Sequence, residues 1–160
     1  MRRIIFVLFI VSFLCVDVYA LDFFQLKSKD VKVSDFTLQN LEGDSVSLSD
    51  FSDKAVILFF WTTWCPHCLR ELTNFNREYE NMKSSNIELL AIDIGESKAK
   101  VKSFIGRNSI KYPILMDADN NVASKYDVVG VPTIILISKQ REIVSVLYSL
   151  PSNYKNLLVE

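Results

Sequence analysis

The stretch Trp61-Thr62-Thr63-Trp64-Cys65-Pro66-His67-Cys68 separates two cysteines by two residues and sets the chain's only histidine between them. Cysteine and imidazole at this spacing serve zinc binding, haem attachment, a structural crosslink or thiol–disulfide exchange. Zinc needs about four ligands, usually as two spaced pairs. The one remaining cysteine, Cys15, belongs to an N-terminal apolar run, and His67 inside the pair is badly placed to close the same tetrahedron. Covalent haem wants a histidine directly after the second cysteine, and position 69 is leucine. A purely structural disulfide is the serious rival, but a bridge closing so short a loop restrains the unfolded chain little. A dithiol between a strand end and a helix start has a physical basis for reactivity. Unpaired N–H groups and the helix dipole stabilise a thiolate at the first cysteine.

The flanking patterns supply that setting. Ala55 to Trp61 (AVILFFW) is continuously apolar, the mark of a strand covered on both faces. After the motif, Leu69, Leu72, Phe75, Tyr79 and Met82 recur at helical spacing with polar residues between them, and Pro66 suits the first helical turn. Phe36, Leu38, Val46 and Leu48 alternate around Glu42-Gly43-Asp44 as a β-hairpin. Residues 87 to 94 read as a second buried strand, 97 to 107 as a helix, 112 to 116 as a short strand and 120 to 126 as a short helix. Residues 133 to 138 and 143 to 148 should pair as a hairpin across a charged turn, before a weakly specified final helix in 151 to 160. Strands alternating with helices predict an α/β fold with a mixed sheet. No linker or repeat divides residues 21 to 160, so one domain is expected.

Arg2 and Arg3 precede an apolar run ending before Asp17, and Val18-Tyr19-Ala20 offers a cleavage site. This order predicts a secretory signal peptide in residues 1 to 20, cleaved after Ala20. The run is shorter than the roughly 20 residues of a spanning helix, so an uncleaved anchor ranks second. Phe13 and Leu14 do not suit lipidation of Cys15. The lead-in from 22 to 34 carries no clear element. With 18 Lys+Arg against 19 Asp+Glu, charge gives no reason to expect a nucleic-acid partner.

Asp35 to Cys68, followed by Gly130-Val131-Pro132-Thr133 and a hairpin, resembles the thioredoxin superfamily, specifically its extracytoplasmic TlpA/ResA-like branch with an AhpC/TSA-type domain. The resemblance implies a thioredoxin fold with a mixed central sheet flanked by helices, an N-terminal hairpin and a βα insertion. It implies an exposed nucleophile at Cys65, a resolving thiol at Cys68, and a disulfide between them after air oxidation. Pro132 would be a cis-proline facing the motif, and Val131 would present backbone to substrate in an apolar groove near Trp64. Trp61 is assigned to core packing, and Tyr126 is left between lining the site and packing.

Glu71 matches a proton-handling glutamate of this branch; the competing reading is an exposed residue favoured by the helix dipole. The classical thioredoxin acid position, six residues before the first cysteine, is Phe59. Pro66 and His67 are the redox-tuning dipeptide and resemble that of oxidising DsbA-like proteins.

The implied function is periplasmic or otherwise extracytoplasmic reduction of protein disulfides, with cytochrome c apoproteins as the family's best-known clients. Protein thiols and disulfides, and a membrane electron-transfer partner, are the implied partners; no metal or other cofactor is implied. A DsbA-like oxidase or isomerase is the alternative, although residues 86 to 129 are too short for its helical insertion. A redox-inert binding module is the alternative of another class. A peroxiredoxin would need proline at position 58, which is leucine.

Overall fold

The computed structural model describes residues 33–159; the expected signal peptide and residues 22–32 of the lead-in lie outside the described residues. Seven strands form one mixed sheet: β1 Thr37–Asn40, β2 Ser45–Ser47, β3 Ala55–Trp61, β4 Ile87–Ile94, β5 Ile114–Asp117, β6 Thr133–Ile137 and β7 Ile143–Leu147. Their spatial order is β2-β1-β5-β4-β3-β6-β7. β3, β4 and β5 run parallel; β1 pairs antiparallel with β5, and the β6–β7 hairpin continues antiparallel from β3. The helices are α1 Pro66–Ser84, α2 Lys98–Asn108, α3 Asn121–Lys125 and α4 Tyr154–Val159.

The apolar run of β3 is buried throughout because the sheet is covered on both sides. Ile57, Phe59 and Trp61 face one core with Leu72 and Phe75 of α1, Val101 of α2 and Leu158 of α4. Val56, Leu58 and Phe60 face the other, with Leu48, Val122 and Ala123. The α2–β5 segment supplies the expected insertion, setting β5 between β4 and the N-terminal hairpin.

Two boundaries depart from the sequence expectation for identifiable reasons. Leu48 begins a 3-10 turn (Leu48–Phe51) rather than extending the hairpin, as Asp50 Oδ2 accepts the Ser47 N–H at 2.8 Å. Strand β5 starts at Ile114 rather than Tyr112. Pro113 has no N–H for a ladder, and the Tyr112 hydroxyl donates to the Leu72 carbonyl at 3.1 Å, tying that residue to α1.

Candidate active site

β3 delivers the motif to the sheet's carboxyl end, where the Cys65 N–H donates to the Thr62 carbonyl at 3.4 Å and the chain turns into α1. Cys65 is the N-cap of that helix, with extended backbone, and Pro66 occupies its first turn. The Cys65 Sγ accepts the Cys68 N–H at 3.1 Å, satisfying one of the donors a helix start leaves unpaired. Cys65 and Cys68 are joined as a disulfide.

Cys68 has no exposed surface, and Cys65 keeps 5%. The expected exposed nucleophile is therefore an almost covered one, because the chain folds a second loop over it. Its Sγ lies 3.7 Å from the Val131 carbonyl oxygen, and the Val131–Pro132 bond is cis. Around this edge Trp64 is 67% exposed and Val129 92% exposed. Trp61 is fully buried and packs on Phe104 of α2 at 5.6 Å between ring centroids. Tyr126 lies in the opposite core, against Phe36 and Phe60, and its hydroxyl donates to the Ser34 carbonyl at 2.6 Å.

Glu71 follows Cys68 by three residues, which puts both on one face of α1. It is 7% exposed, which rules out the surface reading. Its Oε2 accepts the Leu150 N–H at 3.1 Å, and its Oε1 accepts from Asn74 Nδ2 at 3.3 Å. The carboxylate thus clamps the segment after β7 onto α1. It also lines a surface cleft of about 540 Å³ with Leu69, Arg70 and Arg77. His67 is exposed, and its Nδ1 is hydrogen-bonded to the Arg70 guanidinium, so in this geometry that nitrogen acts as an acceptor.

A second acidic group stands behind the motif. Strand register sets Asp93 of β4 beside Trp61, on the face that also holds Ile57 and Phe59. Asp93 is fully buried. Burial first, then the neighbouring Glu96, pushes its carboxyl up to about 8. Glu96 acts on Asp93 without reaching hydrogen-bond geometry: among the described residues, neither Asp93 oxygen has a hydrogen-bond partner. Trp61 Nε1 and Thr62 Oγ1, also buried, are unpaired too.

Glu96 accepts the Thr63 N–H at 2.5 Å, the Thr63 hydroxyl at 2.8 Å and the Lys100 ammonium. Burial alone would raise the Glu96 pKa; the bonds from Lys100 and Thr63, helped by Asp93, bring it below the ordinary value. Gly95, at φ +69°, makes the turn between the two acids, and a Cβ there would meet Asn120 Oδ1 at 2.8 Å. The pattern of residues 87 to 94 predicts only a buried strand; of the two acids inside IELLAIDI, Glu88 and Asp93, it gives no sign that Asp93, next to Ile94-Gly95-Glu96, is the fully buried one. Among the described residues, no group of three or more His, Cys, Asp or Glu is arranged to hold a metal ion.

Residues 30–146 match the AhpC/TSA family. The chain belongs to that family. The thiol-disulfide oxidoreductase ResA of Bacillus subtilis (strain 168) is 34% identical over 128 residues, covering 77% of this chain and 72% of that protein. The ResA of Geobacillus kaustophilus (strain HTA426) is 39% identical over 109 residues, covering 68% of this chain and 63% of its own. The chain thus spans somewhat under two thirds to somewhat over two thirds of these relatives. The crystal structure of StoA from Bacillus subtilis superposes with a TM-score of 0.68 at 26% identity, covering 78% of this chain and 96% of that one. This AhpC/TSA chain therefore falls within the ResA-like thiol-disulfide oxidoreductases and has a thioredoxin fold.

Proposed function

We propose that this thiol-disulfide oxidoreductase works outside the cytoplasm as a reductase of protein disulfides, with Cys65 as nucleophile and Cys68 as resolving thiol. The observation that carries the reading is the Cys65 sulfur at the cap of α1, 3.7 Å from the carbonyl of the Val131–Pro132 loop. There a partner's sulfur can approach Cys65 but not the fully buried Cys68.

In the reduced protein, the Cys65 thiolate attacks one sulfur of a client disulfide, forming a mixed disulfide and releasing a client thiolate that takes up a proton. Cys68 then loses its proton and attacks Cys65 Sγ. The Cys65–Cys68 bond forms, the mixed disulfide breaks, and two electrons have passed to the client. Glu71, on the same helical face as Cys68, is the group we assign to take that proton. Trp64, Val131 and Pro132 are assigned to hold an extended client segment. We place one mature domain after a signal peptide cleaved near Ala20, a membrane electron donor that regenerates the dithiol, and cytochrome c apoproteins among the clients.

The Pro66-His67 dipeptide, which resembles that of oxidising DsbA-like proteins, favours a second reading, an oxidase or isomerase. Equilibration of the couple with thiol redox buffers separates the two. A potential at or below roughly −250 mV, near the thioredoxin end of the scale, supports the reductase; a value near about −120 mV, the DsbA end, supports the oxidase. A binding module with an inert disulfide predicts no insulin reduction at all and full function in Cys65→Ser.

A further inference from the structure

Asp93 and Glu96 take no part in the exchange just described, yet their placement ties them to it. Thr63, two residues before Cys65, is held through both its N–H and its hydroxyl by the Glu96 carboxylate. The turn that follows is closed by the Cys65 N–H on the Thr62 carbonyl. Position along this loop is therefore transmitted from Glu96 to the nucleophile over two residues. Asp93 lies beside Trp61, the last residue of β3, and is sealed from solvent, with both oxygens unpaired among the described residues.

A carboxylate sealed in that way is costly unless it is neutral or paired. Two ionised carboxylates acting on each other behind the loop would raise the cost further. A neutral Asp93, by contrast, has no charge to desolvate, and leaves the charge on Glu96, which Thr63 and Lys100 already hold. The ionisable groups acting on Asp93 are Glu96 in the β4–α2 turn and Lys100 on α2. On the flanking strands its register partners are Trp61 of β3 and Met116 of β5, neither of which ionises in this range.

We propose that Asp93 and Glu96 form a buried pair holding one proton, and that this pair positions the Thr62–Cys65 loop for exchange. While Asp93 keeps the proton, Glu96 carries the only negative charge and spends it on Thr63 and Lys100. When the proton leaves, the two carboxylates repel, the Glu96 hold on Thr63 loosens, and negative charge gathers behind the sulfur that must become a thiolate. Asp93 is in this sense a positioning residue for Cys65, acting through Glu96 and Thr63. The inference extends the assignment of Cys65 as nucleophile.

The test is the pH dependence of the Thr63 amide resonance in the full-length, 15N-labelled, oxidised protein, where the bonded cysteines do not titrate. The wild type should show an inflection near pH 8, the value to which the Asp93 carboxyl is pushed. Asp93→Asn keeps the volume and a donor but cannot titrate, and it should abolish that inflection. Glu96→Gln, a second variant should the first fail to fold, should abolish it as well. In the reduced protein, the pH profile of Cys65 alkylation by iodoacetamide should lose the same inflection in Asp93→Asn while keeping the one due to the thiol. A flat Thr63 resonance in the wild type, or an inflection unchanged in Asp93→Asn, overturns the proposal. No client turnover enters the Thr63 titration, so a protein inert towards insulin with a titrating Thr63 would refute the reductase reading alone, and the converse result would refute this one alone.

Discussion

Glu71 has two separable duties, and paired substitutions divide them. Its carboxylate accepts the Leu150 N–H at 3.1 Å and sits, almost fully covered, on the Cys68 face of α1. Glu71→Ala removes a hydrogen bond to a charged group, worth about 1.5–3 kcal/mol, and strands the Leu150 N–H. For a domain of this size each kcal/mol moves the midpoint by roughly 4 °C, so thermal unfolding should occur about 6–12 °C lower. Glu71→Gln retains an oxygen for Leu150 and should cost about 1 kcal/mol or less.

The proton-handling duty fails in both variants, since neither a methyl group nor an amide takes a proton from Cys68. General-base assistance contributes about 10²- to 10⁴-fold. The assay is reaction of the reduced protein with an aromatic disulfide whose thiolate is coloured. The first equivalent of colour reports attack by Cys65, the second reports resolution by Cys68. Glu71→Gln should leave the first phase intact and slow the second by about 100-fold or more. A second phase at the wild-type rate in Glu71→Gln would refute the reasoning and leave Glu71 as a clamp on residue 150 and nothing else.

The Asp93 carboxyl is also a stability determinant with a definite sign. Its folded value near 8 lies above the ordinary 3.8, so between about pH 4 and 8 the unfolded chain has released a proton that the folded chain still holds. Stability should fall as pH rises through that window, by at most about 1.4 kcal/mol per unit from this group, and level off above pH 8. Asp93→Asn should flatten this slope in urea titrations run at pH 5, 7 and 9; an unchanged slope would mean that Asp93 is ionised in the fold. Phe75, fully buried and 4.8 Å from the Phe59 ring, should cost about 3–5 kcal/mol on change to Ala. Chemical denaturation reads this directly, and a loss under 1 kcal/mol would contradict the packing described.

What could be read from the chain beforehand was whatever depends on local pattern. A strand covered on both faces must be apolar at every position, so Ala55 to Trp61 announced itself, and Pro66 marked the helix start because its missing N–H is needed by nothing there. The hairpin of residues 133 to 148 was legible in the same way, to within a residue at each end. Contacts between distant residues leave no such trace. Glu71 meets Leu150 across 79 positions, so nothing near Glu71 reveals that its carboxylate is covered. Asp93, like Glu88 five residues earlier, interrupts an otherwise apolar strand, and the local pattern does not tell the fully buried acid from the partly covered one. The burial of Asp93 depends on Trp61 and α2, and its neighbour Glu96 turns back to Thr63 only because Gly95 allows the bend.

The sulfur that caps α1 is also the atom proposed to react, and this bears on how any inactive variant is to be interpreted. Serine is among the best N-cap residues, whereas alanine in that position forfeits about 1 kcal/mol. Exchange of Cys65 for serine therefore deletes the chemistry and spares the architecture, while exchange for alanine deletes both at once. A 19-residue helix starts at this residue, so a loose first turn would travel to Cys68 and Glu71 and imitate a catalytic defect. Serine, not alanine, is the substitution from which absence of turnover speaks about sulfur alone.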